Sequence, residues 1–226
     1  MEFLNSRKAV VVVHPTQPFD YYDGVNKSLP LPVFEYFVET TRTFINMVLM
    51  NTFVRFPEIR WVFPHAGAFI PLISDRFDAC WNILMSSNPD ADTDFYKAIK
   101  HVYFDLAGFP LPKQVPIMKQ NVPVQKMLYG SDCSYTPGLV CIGLAGSLER
   151  TKQFSDQEKA EIFTGNALEL FPQLKGIVEF PKDDLLKRAR RVSLKKRLSR
   201  RMIYALFDLF VSRNMRRAVT ESKKSA

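Results

Sequence analysis

Residues 8–18 read KAVVVVHPTQP, and their pattern gives the first indication of the fold class. Five small apolar residues, 9–13, follow one another without a polar break, and a histidine and a proline end the run. An unbroken run of β-branched residues is typical of a strand that is buried on both faces, as in a parallel sheet. Because Pro15 interrupts regular structure, we predict that His14 lies where the strand ends and a loop begins.

Three further runs are short, apolar and rich in β-branched and aromatic residues: IRWVF (59–63), VYFDLAG (102–108) and KMLYG (126–130). Apolar residues spaced by three and four predict helices over 32–56, 69–85 and 155–170. The last helix opens with Ser155 and Glu158, the pattern of a capping box. Strands that alternate with helices predict an α/β fold with right-handed crossovers.

Small polar groups follow the predicted strands. His14 follows the first strand, His65 the second and Asp132 the fourth, while Asp105 lies near the end of the third. In an α/β barrel the functional side chains gather at the carboxyl ends of the strands, so we expect these four residues near one another. Taken singly, either histidine could be a solvated loop residue, and either aspartate could cap a helix. His101 is predicted to begin the third strand instead, and we expect it at the opposite end of the sheet.

The charge of this 226-residue chain is unevenly distributed. Residues 182–226 hold 15 basic and 4 acidic residues, a balance of +11, whereas residues 1–181 hold 16 basic and 19 acidic residues, a balance of −3. We therefore predict two parts, an α/β body over 1–181 and a basic helical extension over 182–226. The mildly acidic body makes nucleic acid an improbable partner.

The cysteine pattern and the first residues favour a cytoplasmic protein. The chain has three cysteines, no CxxC pair, no apolar run of about 18 residues, and an initial MEFLNSRK without the apolar core of a signal peptide. A reducing, cytoplasmic setting is the simplest interpretation of these features.

Five blocks resemble a known family: VVVVHPTQP, RFPEIRWVFPHAGAFIPLISDRFD, VYFDLAG, MLYGSDCSY and EIFTGNALELF. In this order they are similar to blocks of the amidohydrolase-related metal-dependent family, which includes aminocarboxymuconate-semialdehyde decarboxylase and aromatic-acid decarboxylases. The resemblance covers roughly 1–174. It implies a partial (β/α)₈ TIM-like barrel, with the four predicted strands as strands five to eight.

The resemblance also implies roles for three residues. His14 and Asp132 match the family's metal ligands, and His65 matches its catalytic histidine, which orients or deprotonates a metal-bound water. Imidazole and carboxylate are ligands of Zn²⁺, and the metal can acidify water or bind a substrate carboxylate. The implied function is a metal-dependent decarboxylase or hydrolase that acts on a small carboxylated compound, aromatic or unsaturated.

The family's HxH pair of metal ligands has no counterpart in this chain, which starts at the equivalent of strand five. Catalytic zinc sites usually have three protein ligands, so His14 and Asp132 would form an impaired site. We expect one of three explanations. The chain is truncated, it is completed by another copy in a homodimer or by another polypeptide, or it is a non-catalytic remnant. Whether the chain is an active enzyme is left open by this difference.

The extension over 182–226 has apolar residues at helical spacing, with Arg and Lys between them. One interpretation is a helix that packs its apolar side on the body while its charges face water. Another is a helix that binds an anionic membrane, and a third is a segment that binds nucleic acid or an acidic partner.

Overall fold

The computed structural model describes residues 1–18, 29–84, 94–176, 198–199 and 201–209. The described residues form one sheet of four parallel strands in the order β1-β2-β3-β4. The strands are β1 (Val10–Val12), β2 (Arg60–Phe63), β3 (Tyr103–Asp105) and β4 (Met127–Leu128). All four fall inside the apolar runs of the sequence, so the predicted α/β fold with a parallel sheet is confirmed.

Helices connect the strands and follow them. In chain order they are α1 (Glu2–Ser6), α2 (Glu35–Leu49), α3 (Thr52–Arg55), α4 (Ile70–Leu84), α5 (Phe95–His101), α6 (Gln114–Asn121), α7 (Gly138–Arg150), α8 (Asp156–Ala160) and α9 (Asn166–Leu170). The helix predicted over 32–56 is divided into α2 and α3, because Asn51 adopts a left-handed conformation with φ of 51°. His101 ends α5 rather than beginning β3, but it lies before β3 as expected.

The predicted helix over 155–170 contains an irregular turn. Ser155 and Glu158 form the capping box, with both reciprocal hydrogen bonds present. Between α8 and α9, the segment Glu161–Gly165 is a π-helical turn. The carbonyl of Ile162 in this turn accepts a hydrogen bond of 2.8 Å from the backbone N–H of Tyr129, directly after β4. The turn therefore ties the last helical segment to the end of the sheet.

The two faces of the sheet pack differently, because successive side chains of a strand point to opposite faces. One face carries Phe63 and Phe104, which join the large core formed with the helices. The other face carries Val62 and Leu128, which pack on Leu170 of α9 in a much smaller cluster. On that second face Val12 is 62% exposed.

Backbone carbonyls at the amino end of the sheet are bound by two basic side chains. Arg60 donates hydrogen bonds from Nη2 to the carbonyl of Lys8 and from Nη1 to the carbonyl of Leu170. Lys126 donates from Nζ to the carbonyl of His101 at 3.3 Å. These bonds join α9 and α5 to the starts of the strands.

Only part of the basic extension falls in the described ranges, where residues 198–199 and 201–209 are helical. The predicted boundary between 181 and 182 and the rest of the extension lie outside the described residues. None of the helices in the described part of the chain has the length and apolarity of a bilayer-crossing segment.

Candidate active site

The carboxyl ends of the strands surround one cavity of about 300 Å³. His14, His65, Asp105 and Asp132 all line it, as their positions after β1 to β4 led us to expect. The other lining residues are Pro64, Ala107, Ser131, Cys133 and Tyr135. The structure thus brings together the three residues with implied roles and Asp105, the fourth ionisable group expected at this end of the sheet.

His65 begins a tight left-handed turn after β2. His65, Ala66, Gly67 and Ala68 all have positive φ, between 51° and 75°. Left-handed backbone is unfavourable for residues with a Cβ, so surrounding contacts must hold this turn. Gly67 is required at its position, because an added Cβ would lie 2.9 Å from Cε1 of the buried Phe104.

A carboxylate and an amide hold the two sides of this turn. Oδ1 of Asp105 accepts hydrogen bonds of 3.0 Å from the backbone N–H groups of His65 and Ala107. Nε2 of Gln114, at the start of α6, donates to the carbonyls of His65 and Ala68 at 2.9 Å, with a longer contact of 3.4 Å to Ala66. Asp105 and Gln114 therefore fix the backbone that carries the His65 imidazole.

Burial shifts the pKa values of His65 and Asp105. Desolvation lowers the pKa of His65, and the charges of Asp105 and Asp132 oppose that shift. Desolvation also raises the pKa of Asp105, while its hydrogen bonds from the backbone of Ala107 and His65 oppose the rise. Nδ1 of His65 is buried and has no hydrogen-bond partner among the described residues.

The loop after β4 positions Asp132. Its φ of 53° turns the chain sharply, and its Oδ2 accepts a hydrogen bond of 2.6 Å from the hydroxyl of Thr136. Gly130 lets this loop approach β3, because a Cβ there would lie 2.9 Å from Cγ of Asp105. The close approach brings the two carboxylates to the same cavity.

Aromatic rings cover the two histidines. Tyr135 stacks on His14 with ring centroids 4.9 Å apart, and Phe37 of α2 stacks on His65 at 5.4 Å. His14 and Tyr135 are both exposed, so this side of the cavity is open to solvent. Phe37 belongs to the partly buried side of α2 and shields the His65 ring from water.

The donor types at the cavity suit a divalent metal only in part. His14 and Asp132 offer the imidazole and carboxylate that such ions bind in proteins. Within the described residues, however, no group of three or more His, Cys, Asp or Glu side chains could hold an ion. Among the described residues the ligand set is therefore limited to the groups that line this cavity.

Comparison with known proteins identifies the family of this chain. Residues 1–173 match the amidohydrolase family, which is more than half of the chain. The chain belongs to that family, and the resemblance noted in its sequence is confirmed.

Similar proteins include a decarboxylase and another amidohydrolase. Over 176 residues the chain is 28% identical to 6-methylsalicylic acid decarboxylase of Penicillium expansum, covering 78% of this chain and 54% of that protein. A solved structure described as amidohydrolase II is 35% identical, with a TM-score of 0.71, over 76% of this chain and 54% of that chain.

A third similar protein is the dihydroxybenzoic acid decarboxylase of Polaromonas sp. JS666, solved with bound manganese. It is 19% identical, with a TM-score of 0.67, over 79% of this chain and 55% of that one. At that identity the likeness shows a shared fold alone. The chain spans about half the length of the curated relatives it matches.

Sequence reasoning missed the support around His65. Asp105 was visible as a polar residue near a strand end, but nothing in its neighbourhood signals that it binds the backbone of His65. Gln114 opens a helix that contains a proline, which weakens the helical pattern. A half-buried amide that binds carbonyls remote in sequence leaves no local signal.

Proposed function

We propose that this chain carries the substrate-binding and proton-transfer half of a carboxy-lyase that acts on a small aromatic carboxylate. The observation that supports the proposal is the meeting of His14, His65 and Asp132 around one cavity at the carboxyl end of a parallel sheet. The similarity to decarboxylases of aromatic acids supports the substrate class. A hydrolytic reaction on a related carboxylate is the alternative chemistry of the same site.

In this reaction the bond between the ring carbon and the carboxylate breaks, CO₂ leaves, and the ring carbon takes a proton. We assign the proton transfer to His65. Burial lowers the pKa of His65, so its imidazolium form is a stronger acid than a free one. The imidazolium would give its proton to the ring carbon, become neutral, and take up a new proton from solvent before the next turnover. Asp105 and Gln114 would keep the ring in place during the transfer, since they bind the backbone on either side of it.

His14 and Asp132 are the residues that we propose as ligands of a divalent metal. When bound, such an ion would act as a Lewis acid toward the substrate carboxylate. Zinc is the metal that the family resemblance implies, and manganese is the metal in the Polaromonas structure. The hydrogen bond from Thr136 would orient the Asp132 carboxylate toward the ion.

We further propose that the four strands are one half of a (β/α)₈ barrel and that a second polypeptide segment completes it. The support is the second face of the sheet, where Val12 is largely exposed and the cluster around Val62 is small. Another copy of the chain is the simplest partner, in a homodimer. Sedimentation velocity would test this, with a monomer at all concentrations as the contrary result.

The experiment that tests the function combines metal binding and turnover. The purified chain would be titrated with Zn²⁺ and Mn²⁺ by calorimetry, and aromatic acids such as 6-methylsalicylate would then be assayed for CO₂ release. We expect His14→Ala and Asp132→Asn to abolish metal binding, and His65→Asn to abolish turnover while metal binding persists. Turnover that survives His65→Asn would contradict the assigned role.

A second candidate is a non-catalytic protein that keeps the family fold. The incomplete ligand set among the described residues favours it. It predicts neither metal uptake nor CO₂ release by the purified chain. In either case we propose a cytoplasmic location, consistent with the free thiols of Cys80, Cys133 and Cys141.

A further inference from the structure

The helix over residues 201–209, here called the tail helix, is fixed on α7 by its inner face. Gly143 and Gly146 of α7 are buried against it, and an added Cβ at either one would clash with the ring of Phe207 or Tyr204. Only glycine allows the two helices to approach this closely.

Polar contacts fix the same orientation. Arg150 of α7 lies over the ring of Tyr204, with its guanidinium carbon 4.3 Å from the centroid, and its Nη2 binds both carboxylate oxygens of Asp208 at 3.2 Å. The ring of Phe207 stacks on Phe109 of the body. The tail helix is therefore docked on the body.

The opposite face of the tail helix is apolar and exposed. Met202 and Leu206 are four residues apart in it, which places them on one side of the helix, and Leu198, in the helical residues 198–199, precedes Met202 by the same interval. Their exposed fractions are 57%, 63% and 60%. Because Tyr204 and Phe207 hold the inner face against α7, the helix cannot turn to bury this apolar stripe in the body.

The charge of the surrounding sequence indicates the kind of partner that would fit the stripe. Residues 182–226 carry 15 basic and 4 acidic residues, and Arg201 lies exposed within the tail helix. A second copy of this chain would bring two strongly positive segments together, which opposes self-association through this face. An acidic polymer would match the charge but would not need an apolar stripe.

We propose that this face, Leu198, Met202 and Leu206, docks on the surface of an anionic lipid bilayer. An apolar stripe flanked by Lys and Arg is the pattern by which a helix lies in the interface, with its apolar side chains among the acyl chains and its basic residues near the headgroups. The docked tail helix would thereby hold the enzyme-like body at the membrane. The proposal does not depend on the body's chemistry.

The test is co-sedimentation of the full chain with lipid vesicles. We expect binding to vesicles of phosphatidylcholine mixed with phosphatidylserine, weak binding to phosphatidylcholine alone, and weaker binding as the NaCl concentration rises. The double variant Met202→Ser, Leu206→Ser should lose at least about tenfold in affinity, since it removes two side chains from the buried stripe. Leu72→Ser, an exposed apolar residue on α4, is the matched control and should bind as the natural chain does.

A second measurement reports the site directly. Tryptophan emission of Leu206→Trp should shift to the blue on adding anionic vesicles, while that of Leu72→Trp should not. Equal binding to both kinds of vesicle, or full binding by the double variant, would overturn the proposal. So would a double variant whose main change is a loss of self-association, because the stripe would then bind a second copy.

Discussion

The two ends of the sheet are built by different rules. At the carboxyl end, His65, Ala66, Ala68, Asp132 and Ser134 all have φ between 51° and 85° although none is glycine. At the amino end, only Lys8, among the described residues that lie one or two positions before a strand, is a non-glycine residue with positive φ. Left-handed backbone costs free energy, so one end stores strain while the other is conventional.

The two ends also use different side chains to bind backbone groups. Carboxylate and amide groups organise the carboxyl end, where Asp105 accepts backbone N–H groups and Gln114 binds carbonyls. Basic side chains organise the amino end, where Arg60 and Lys126 donate to carbonyls. The comparison teaches that the amino end serves stability, whereas the carboxyl end trades stability for a fixed arrangement of ionisable groups.

The largest expected effect is at Gly67 in the strained turn. Gly67→Ala should destabilise the protein by about 2–4 kcal/mol, because it combines an unfavourable left-handed residue with a clash against Phe104. Urea denaturation would measure the change. Gly138→Ala is the matched control, since an added Cβ there meets no atom within 4 Å. Equal losses of stability in the two variants would show that the left-handed turn is no more sensitive to an added Cβ than the start of α7 is.

Gln114→Ala should cost about 1–3 kcal/mol, because it leaves the carbonyls of His65 and Ala68 without their side-chain donor. The matched control is Gln120→Ala, an exposed glutamine on the same helix, for which we expect almost no change. NMR of the His65 ring protons would show whether the imidazole also moves. If the Gln114 variant were as stable as the Gln120 variant and the His65 ring did not move, Gln114 would not be needed to hold the backbone of His65.

The smallest effect is a pH dependence at the amino end. Burial lowers the pKa of His101 in the folded state, so the unfolded chain binds the proton more tightly. Its contribution to stability is full above the unfolded value near 6.5 and is lost as the pH falls below it. His101→Phe should reduce the loss of stability at acid pH by less than about 1 kcal/mol, since the half-exposed ring is partly screened. An unchanged acid slope in urea denaturation at several pH values would contradict this assignment.

The sequence predicted the strands and the position of the site because both depend on local patterns. The runs around Val11 and Phe104 are apolar enough to define buried strands, and strand ends in a parallel sheet meet at one edge. The capping box at Ser155 is likewise a short-range signal. In each case the information lies within a few residues.

Features that depend on contacts remote in sequence could not be predicted. The left-handed turn at His65 contains only one glycine, and it is held by Asp105 and Gln114 from other elements. The pattern of α7 is weakened by Gly143 and Gly146, whose purpose is evident only once the tail helix packs on them. Tertiary contacts override local preference at these positions.

The π-helical turn at Glu161–Gly165 changes the phase of the helix that contains it. A residue added to a helix rotates everything beyond it by about 100°. Around this turn the carbonyl of Ile162 accepts from the N–H of Tyr129, directly after β4, and the Asn166 amide donates to the carbonyls of Val124 and Met127 at 2.7 Å. The helical segment therefore grips the chain on both sides of the fourth strand, once through its backbone and once through a side chain, and these two attachments hold that strand at its place in the sheet.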